Sequence, residues 1–575
     1  MDHEKVLPPD EKTSVPHPTV ESERDVNVED WRENESFMTR NGLNMKSFQR
    51  RPKGGALVVL DKSMRTRHLH MIAIGGSIGA GFFVGSGGAL NKGGPASVLI
   101  DFSLMGVMIF NVVYALGEMA VMYPVSGGFY TYSTRFIDPS WGFAMGWNYV
   151  FQWAIVLPLE LNVAALTVQY WDGAKNVNVA VFMTVFWVFI ILINVFGTLG
   201  YAEEEFWSSC IKLSATVIFM IIALILVCGG GPSSGKYSSY WGARTWYDPG
   251  AFNNGFKGFC SVFVTAAFAF SGTELVGLAA AETKNPLKSL PGAIRQIFWR
   301  VTLFYVLGLT FVGLLVRYDD ERLLGASGDG ANTSPFVIAG KDAGLHGFDT
   351  FMNIVILVSV VSIGVSGVYG GSRTLTALGD QGYAPKIFTY VDRSGRPLFS
   401  VIFVLAWGAL CYMNLAATGV TVFDWFVALS GLAALFTWGS ICLCHIRFRK
   451  AWAYHGHTVD EIPFKAALGV WGSWLGLAII FIVLCAQFYT AVSPLGLDPG
   501  QKTGTAEDFF EAYLALFVVA AFWICGYFWK REGWLRTAQM DVDTGRRELD
   551  WDLINKEREE VKTWPAWKRL FHRMF

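Results

Sequence analysis

Residues 75 to 88 read Gly-Gly-Ser-Ile-Gly-Ala-Gly-Phe-Phe-Val-Gly-Ser-Gly-Gly, and this stretch decides the fold. Seven of its 14 residues are glycine, although it lies within the first long apolar run of the chain. Each glycine inside a helix costs roughly 1 kcal/mol relative to alanine. Inside a membrane, non-helical backbone persists only where protein or a polar cavity surrounds it, because lipid offers no hydrogen-bond partners. The stretch therefore predicts a membrane helix that unwinds around a bound small molecule.

The alternative interpretation is that the glycines only let neighbouring helices pack closely, as small residues at every fourth position do. Such packing requires one small face of the helix. The seven glycines instead lie on all sides of a helical projection. We therefore favour the unwound site.

The composition indicates a membrane protein. Of the 575 residues, 52% are hydrophobic and 16% are charged, and the mean hydropathy is +0.36. Soluble domains carry about 25% charged residues. The 22 Trp and 45 Phe suit membrane spans with aromatic belts at both interfaces. The net charge of −1 gives no support for nucleic-acid binding, since half of the 46 Lys and Arg lie in the first 68 and last 46 residues.

Twelve apolar runs organise the chain. They lie near residues 69–90, 96–123, 141–170, 178–197, 206–228, 257–281, 297–317, 349–378, 399–418, 424–446, 467–490 and 508–529. An even number of spans puts both termini on one side, and Lys and Arg favour that side by 36 to nine when the tails are included, so we expect both termini in the cytosol. The predicted organisation is a cytosolic tail over 1–68, a membrane domain over 69–529 and a second cytosolic tail over 530–575.

A second irregular segment matches the first. Residues 268 to 274 read Phe-Ala-Phe-Ser-Gly-Thr-Glu and interrupt the sixth run. The first run enters from the cytosol and the sixth from outside, so a repeat of five spans is inverted in its second copy. Interrupted segments at matching positions of two inverted halves indicate a transporter's midplane site. We predict an all-α multi-pass membrane protein with a 5+5 inverted repeat, broken helices one and six, and two peripheral helices.

The two breaks also predict the chemistry of the ligand. A helix N-terminus binds a carboxylate through its N–H groups and dipole, whereas the carbonyls of a C-terminus suit an ammonium group. We expect residues 77–81 to hold the carboxylate and the carbonyls of 269–271 to hold the ammonium group. The glycines would let the ligand approach the backbone closely. Together these groups describe an α-amino acid.

Charged residues inside the runs are costly in lipid and are expected to face inward. Lys212, in the fifth run, is our candidate for proton coupling; the alternative is that its side chain extends to the inner interface. Glu160 shares a helical face with Val156 and Gln152 and is expected to line the pocket, unless it is only a structural carboxylate of the bundle. For Glu118 we favour a structural or gating role.

Several motifs, taken together and in order, resemble the fungal amino acid permeases, the yeast amino acid transporter branch of the amino acid/polyamine/organocation superfamily. The resemblance covers roughly residues 60–535. The motifs are Ile72-Ala73-Ile74-Gly75-Gly76, Tyr123-Pro124-Val125-Ser126-Gly127, Gly146-Trp147-Asn148-Tyr149, Pro158-Leu159-Glu160-Leu161, Ser271-Gly272-Thr273-Glu274, Glu282-Thr283-Lys284-Asn285-Pro286, Arg373-Thr374-Leu375 and His445-Ile446-Arg447-Phe448.

The resemblance implies proton-driven uptake of L-amino acids at the plasma membrane, with protons as the coupling ion and no further cofactor. Carried over by position, the carboxylate loop falls on Ser77, Ile78, Gly79, Ala80 and Gly81. The ammonium-binding carbonyls fall on Phe268, Ala269 and Ser271, the proton-linked lysine on Lys212, and the selectivity positions on Gln152, Val156 and Glu160. We also place Glu274, directly after the second break, in the substrate site.

Two departures from the family pattern bear on the substrate. The loop lacks the threonines that flank the middle glycine in many relatives, so fewer hydroxyl contacts to the substrate are expected. Val156 stands where some carriers of basic amino acids have a small polar residue. Both departures lead us to expect broad, neutral-leaning specificity.

The alternatives are an amino acid sensor that keeps the transporter fold, and an exchanger or facilitator that is not coupled to protons. No metal-spaced cluster, nucleophile elbow or phosphate loop supports an enzyme, and no metal site is expected. Asn332 begins a glycosylation sequon in a predicted outer loop. Lys5 and Lys12 in the tail are candidate ubiquitin sites, and the basic loop over 373–397 is expected to contact lipid headgroups or other inner loops.

Overall fold

The computed structural model of the protein describes residues 36–51, 64–123, 128–280, 282–283, 286–323, 333–415, 419–497, 501, 503–547, 556 and 559–569. Within these residues the regular structure is helical, and no β-strand is present. The predicted all-α fold is therefore confirmed. The candidate sites Asn332, Lys5 and Lys12 lie outside the described residues.

The helices of six or more residues are numbered in chain order. They are α1 Thr66–Gly75, α2 Gly81–Met122, α3 Phe129–Phe136, α4 Pro139–Val168, α5 Val179–Val195, α6 Gly197–Val227, α7 Gly255–Phe270, α8 Leu275–Ala280, α9 Pro286–Trp299 continuing as Arg300–Gly308 and Leu309–Leu315, α10 Pro335–Asp342, α11 Phe348–Asp380, α12 Leu398–Trp407 continuing as Gly408–Leu415, α13 Gly419–Tyr454, α14 Gly469–Val492 and α15 Ala506–Lys530.

The first predicted break is present. Helix α1 ends at Gly75, the backbone over 76–79 is not helical, and α2 begins at Gly81. Helix α2 then contains the end of the first predicted run and nearly all of the second. A corner at Gly94, with φ of +81°, separates these two parts, and Pro95 follows it. A β-carbon at Gly94 would lie 2.8 Å from the carbonyl oxygen of Ala251, so both its φ and its surroundings require glycine.

The second break is also present, but it is shorter than predicted. Helix α7 continues through Phe270, so residues 268 to 270 are helical, and only residues 271 to 274 form the turn before α8. Gly272 has φ of +91° at this turn, a conformation that glycine adopts at little cost. The broken helices one and six of the predicted fold are therefore confirmed.

Within the described residues, nine helices are long and apolar enough, by length and composition, to cross a membrane. Two shorter apolar helices, Val179–Val195 and Leu398–Met413, coincide with the fourth and ninth predicted runs. Because α2 contains parts of two runs, the nine helices do not give the number of spans directly. Twelve spans stay a prediction.

The core of the bundle surrounds the two breaks. Helix α4 packs against α11, α7 against α2, and α1 against α6. The most apolar window of Gly255–Ala280 is 94% buried, whereas those of α14 and α15 are 28% and 22% buried. The last two helices therefore lie at the periphery, as the sequence predicts.

Candidate functional site

A buried cavity lies where the two breaks meet, at the centre of the bundle. Its volume is about 10 Å³, which is room for about one water molecule in this structure. Its walls come from the first break, α4, the end of α7 and α11. The lining residues are Ser77, Gly79, Ala80, Gly81, Trp153, Val156, Glu160, Phe268, Ser271 and Ile363. All of them are buried.

Eight of the twelve residues predicted to bind substrate line this cavity. Sequence reasoning missed Trp153 and Ile363. Trp153 precedes Val156 by three residues and therefore lies on the same face of α4, so helical spacing could have indicated it. Ile363 lies among other apolar residues of α11, and no pattern distinguishes it.

The other four predicted residues lie close to the cavity without lining it. The Gln152 amide donates a 2.7 Å hydrogen bond to the Ser271 hydroxyl and so fixes one wall. The carbonyl of Ala269 accepts a 2.7 Å hydrogen bond from the Tyr305 hydroxyl, which uses one of its two lone pairs. Ile78 is fully buried beside the cavity.

Glu274 has partners of its own. Its carboxylate accepts hydrogen bonds from the hydroxyl of Tyr149 at 3.2 Å, the indole of Trp438 at 3.1 Å and the backbone N–H of Gly272 at 3.2 Å. These bonds hold the second break against α4 and α13. Glu274 therefore positions the turn and does not face the cavity.

Gly81 lets the two broken helices touch. A β-carbon at Gly81 would lie 2.6 Å from the Cα atom of Ala269, so the start of α2 and the end of α7 are in backbone contact. Gly79 is equally enclosed, because a β-carbon there would collide with the side chain of Ile363. These two glycines therefore bring the first break against the second and against α11.

Two side chains of helix α9 contact both interrupted helices. The Tyr305 hydroxyl, which bonds to Ala269, also lies 3.2 Å from the carbonyl oxygen of Ser77. The Arg300 guanidinium is fully buried; it donates a 2.8 Å hydrogen bond to the carbonyl of Ala73 and another to the hydroxyl of Thr273. Each side chain thus contacts both interrupted segments.

Glu160 is the carboxylate of the cavity wall. It is almost fully buried, and the backbone N–H of Ala80 faces it. Neither carboxylate oxygen has a hydrogen bond of good geometry to a described residue. One of the N–H groups that the sequence assigns to a substrate carboxylate therefore faces Glu160 in this structure.

Lys212 points into the bundle. Its ammonium group donates hydrogen bonds to the carbonyl of Gly75 at 3.3 Å and to the Ser362 hydroxyl at 3.2 Å, and it lies 3.2 Å from a carboxylate oxygen of Glu205. Both charged side chains are fully buried. The ammonium group therefore contacts the last residue of α1, directly beside the first break. Its side chain does not extend to the inner interface, and its part in proton coupling stays a prediction.

Sequence reasoning missed Glu205. The signal is its spacing: Glu205 precedes Lys212 by seven residues, about two helical turns, which puts both on one face of α6. Three successive acidic residues at the start of an apolar run are a further signal, because a carboxylate in lipid needs a partner.

Glu118 connects α2 to α13. Its carboxylate accepts two hydrogen bonds from the Arg449 guanidinium, the longer of 2.9 Å, and one of 2.7 Å from the backbone N–H of Ala466. The Nε2 atom of His445 lies 3.0 Å away. These contacts agree with a structural or gating role.

Glu282 forms a further ion pair, directly after the sixth predicted run. Its carboxylate accepts hydrogen bonds from Arg373 at 3.2 Å, Tyr369 at 3.1 Å and Thr198 at 3.0 Å. Arg373 is only 4% exposed. The loop over 373–397 is expected to contact either lipid headgroups or other parts of the protein. The Arg373 side chain contacts other parts of the protein and not lipid.

The fold and the cavity define a class of protein: a multi-pass helical membrane protein whose buried cavity lies between two interrupted helices, which is typical of secondary transporters. Among the described residues, no group of three or more His, Cys, Asp or Glu could hold a metal ion. A family model described as amino acid permease matches residues 68–539. The chain belongs to the amino acid permease family.

The similarity to fungal permeases extends over nearly the whole chain. The chain is 65% identical over 559 residues to amino-acid permease inda1 of Hypocrea atroviridis, covering 97% of this chain and 95% of that protein. It is 51% identical to general amino-acid permease GAP2 of Candida albicans, over 90% of this chain and 86% of the relative. It is 50% identical to general amino-acid permease GAP1 of Saccharomyces cerevisiae, over 89% and 85%. The predicted resemblance is confirmed, and family membership supports amino acid transport.

Proposed function

We propose that this protein takes up L-amino acids by proton symport across the plasma membrane, with broad, neutral-leaning specificity and both termini in the cytosol. The observation that carries the proposal is the convergence of two interrupted helices on one buried cavity, with the buried ammonium group of Lys212 at the end of α1. Two of the relatives are named general amino-acid permeases, which agrees with broad specificity.

The cavity offers each group of an amino acid a partner. The backbone over 79–81 begins α2, and the first N–H groups of a helix have no partner within it, so they suit the substrate carboxylate. The last carbonyls of α7 and the Ser271 hydroxyl suit the ammonium group. Val156, Ile363 and Trp153 form an apolar wall for the side chain.

Glu160 gives the cavity its affinity for a cation. Neither oxygen of its carboxylate has a hydrogen-bond partner among the described residues, so the group can accept the substrate's ammonium group or a proton. A carboxylate in the same cavity wall as the N–H groups assigned to the substrate carboxylate favours zwitterions over simple anions.

Lys212 supplies the site for the coupling proton. In contact with the Gly75 carbonyl, its charged form stabilises the end of α1, because a cation is favourable at a helix C-terminus. Loss of the proton removes this interaction and so couples protonation to the position of α1. Ubiquitin attachment at Lys5 or Lys12, glycosylation at Asn332 and contact with membrane lipids belong to the same proposal.

The test uses purified protein in liposomes with an acidic exterior and labelled L-leucine as the probe. We expect accumulation that a protonophore abolishes. Equal uptake with and without the protonophore would indicate an exchanger or facilitator, and binding without uptake would indicate a sensor. Lys212→Ala is expected to abolish accumulation, while the matched control Lys257→Ala, whose side chain bonds to Ser493 and Pro494 outside the site, keeps it.

A further inference from the structure

A buried network of carboxylates and hydroxyls extends from Lys212 in the direction away from the cavity. Glu205 is the first member, 3.2 Å from the ammonium group. Its carboxylate accepts further hydrogen bonds from Ser362 at 2.7 Å, Ser366 at 3.0 Å and Ser209 at 2.8 Å. With four donors around it, this buried carboxylate is fully hydrogen-bonded.

Ser362, on α11, is the branch point of the network. Its hydroxyl lies within 3.2 Å of the Lys212 ammonium group, 2.7 Å of Glu205 and 2.8 Å of the Ser208 hydroxyl. A carboxylate oxygen of Glu204 lies 3.5 Å from the same hydroxyl. The network therefore continues from Glu205 to Glu204 through one serine.

Glu204 lies at the edge of the buried region. Its residue is partly exposed, whereas Glu205 is fully buried. The adjacent Glu203 is paired with Arg67 and with His68, whose Nε2 atom lies 3.1 Å away, on the first turns of α1. The network thus ends at the face of the protein where α1 begins.

We infer that Glu205 and Glu204 carry the proton between Lys212 and that face, with Ser362 connecting the two carboxylates. The inference deepens the proposed proton symport and rests on it. In the release direction, Lys212 transfers its proton to Glu205 and becomes a neutral amine. Glu205 passes a proton to the Ser362 hydroxyl, which gives its own proton to Glu204. Glu204 then releases a proton to water, and one proton in total has left Lys212.

The other titratable and charged groups around this path have different partners or positions. Tyr201, on α6, faces Glu205 with its ring stacked on Tyr369 at 4.1 Å. Arg373, from α11, is paired with Glu282. Glu160, from α4, lies in the cavity wall and not in the network of Glu205, Ser362 and Glu204.

The decisive variant is Glu204→Gln, which keeps the size of the side chain and cannot release a proton. Proteoliposomes are tested in two ways: accumulation driven by a pH gradient, and exchange of labelled for unlabelled L-leucine at equal pH on both sides. We expect Glu204→Gln to lower accumulation by at least about tenfold. Exchange is expected to stay at the wild-type level, because it needs no net proton movement.

Glu203→Gln is the matched control, since it changes a neighbouring carboxylate that holds Arg67 and lies outside the path; it is expected to accumulate L-leucine as the wild type does. A pH-sensitive dye in the lumen adds a second readout: leucine-dependent acidification is expected to be lost in Glu204→Gln and kept in the control Glu203→Gln. Glu205→Gln is expected to show the same pattern as Glu204→Gln. If it does not fold, Glu204→Gln decides.

Two results would overturn the path. One is wild-type accumulation by Glu204→Gln, and the other is an equal loss of accumulation and exchange, which would show a structural role. Failure of the proposed symport looks different, because the wild-type protein itself would then show no protonophore-sensitive accumulation.

Discussion

The backbones of Gly81 and Ala269 are in direct contact: a β-carbon at Gly81 would lie 2.6 Å from the Cα atom of Ala269. This contact joins the start of α2 to the last turn of α7, so the two interrupted helices form one wall of the cavity. The site and the helix contact thus depend on the same glycine.

The first prediction concerns this contact. Gly81→Val is expected to abolish L-leucine uptake and to lower the melting temperature of the purified protein, because overpacking costs about 1–3 kcal/mol or more. Gly439→Ala is the control, since its β-carbon would meet other atoms only at 3.8 Å or beyond. Normal uptake by Gly81→Val would show that the two helices are not in contact in the working protein.

The second prediction concerns Tyr305. Tyr305→Phe removes the hydroxyl that bonds to the Ala269 carbonyl at 2.7 Å while keeping the ring. A lost hydrogen bond of about 1 kcal/mol corresponds to roughly fivefold, and we expect the KM for L-leucine to rise by this factor. Tyr412→Phe, which removes a hydroxyl bonded to Thr184 away from the cavity, is the control. An unchanged KM would exclude Tyr305 from positioning the site.

The third prediction concerns the ion pair of Glu282 with Arg373. Substitution of either partner alone leaves the other buried and unpaired, which costs about 3–5 kcal/mol. Glu282→Gln and Arg373→Met are therefore each expected to destabilise the protein strongly. The double variant is expected to be more stable than the sum of the two losses implies. Thermal unfolding of the four proteins gives the coupling. Additive losses would show that the pair does not interact.

The fourth prediction concerns specificity. Val156 lies in the cavity wall one helical turn from Glu160. We expect Val156→Ser to raise the ratio of L-arginine to L-leucine uptake by roughly three- to tenfold, because a polar wall solvates a cationic side chain better. Val163→Ser, a buried substitution on the same helix outside the cavity, is the control. Equal ratios in both variants would place the specificity determinant elsewhere.

The positions of both breaks could be predicted from the sequence because their cause is local. Clustered glycines and small polar residues inside an apolar run conflict with helix formation wherever they occur. The α4 face could be predicted for a similar reason, since helical spacing alone groups Val156 with Glu160. Eight cavity residues follow from these two local patterns.

The partners that hold the breaks could not be predicted, because they come from distant parts of the chain. Tyr305 and Arg300 lie on α9, their side chains contact both interrupted helices at or close to the breaks, and no periodic pattern marks them. At Glu274 the sequence pattern is present but fits two roles. A carboxylate after a break suits a ligand site as well as a turn, and only its bonds to Tyr149 and Trp438 show that it holds the turn.

The central claim is that the two interrupted helices together hold an amino acid, and a cryo-electron microscopy map of the purified protein saturated with L-leucine tests it most directly. We predict density for the ligand in the cavity, with its carboxylate at the backbone N–H groups of 79–81 and its ammonium group at the carbonyls of 268–271. Ligand density at another place, with this cavity still closed and empty, would contradict the account.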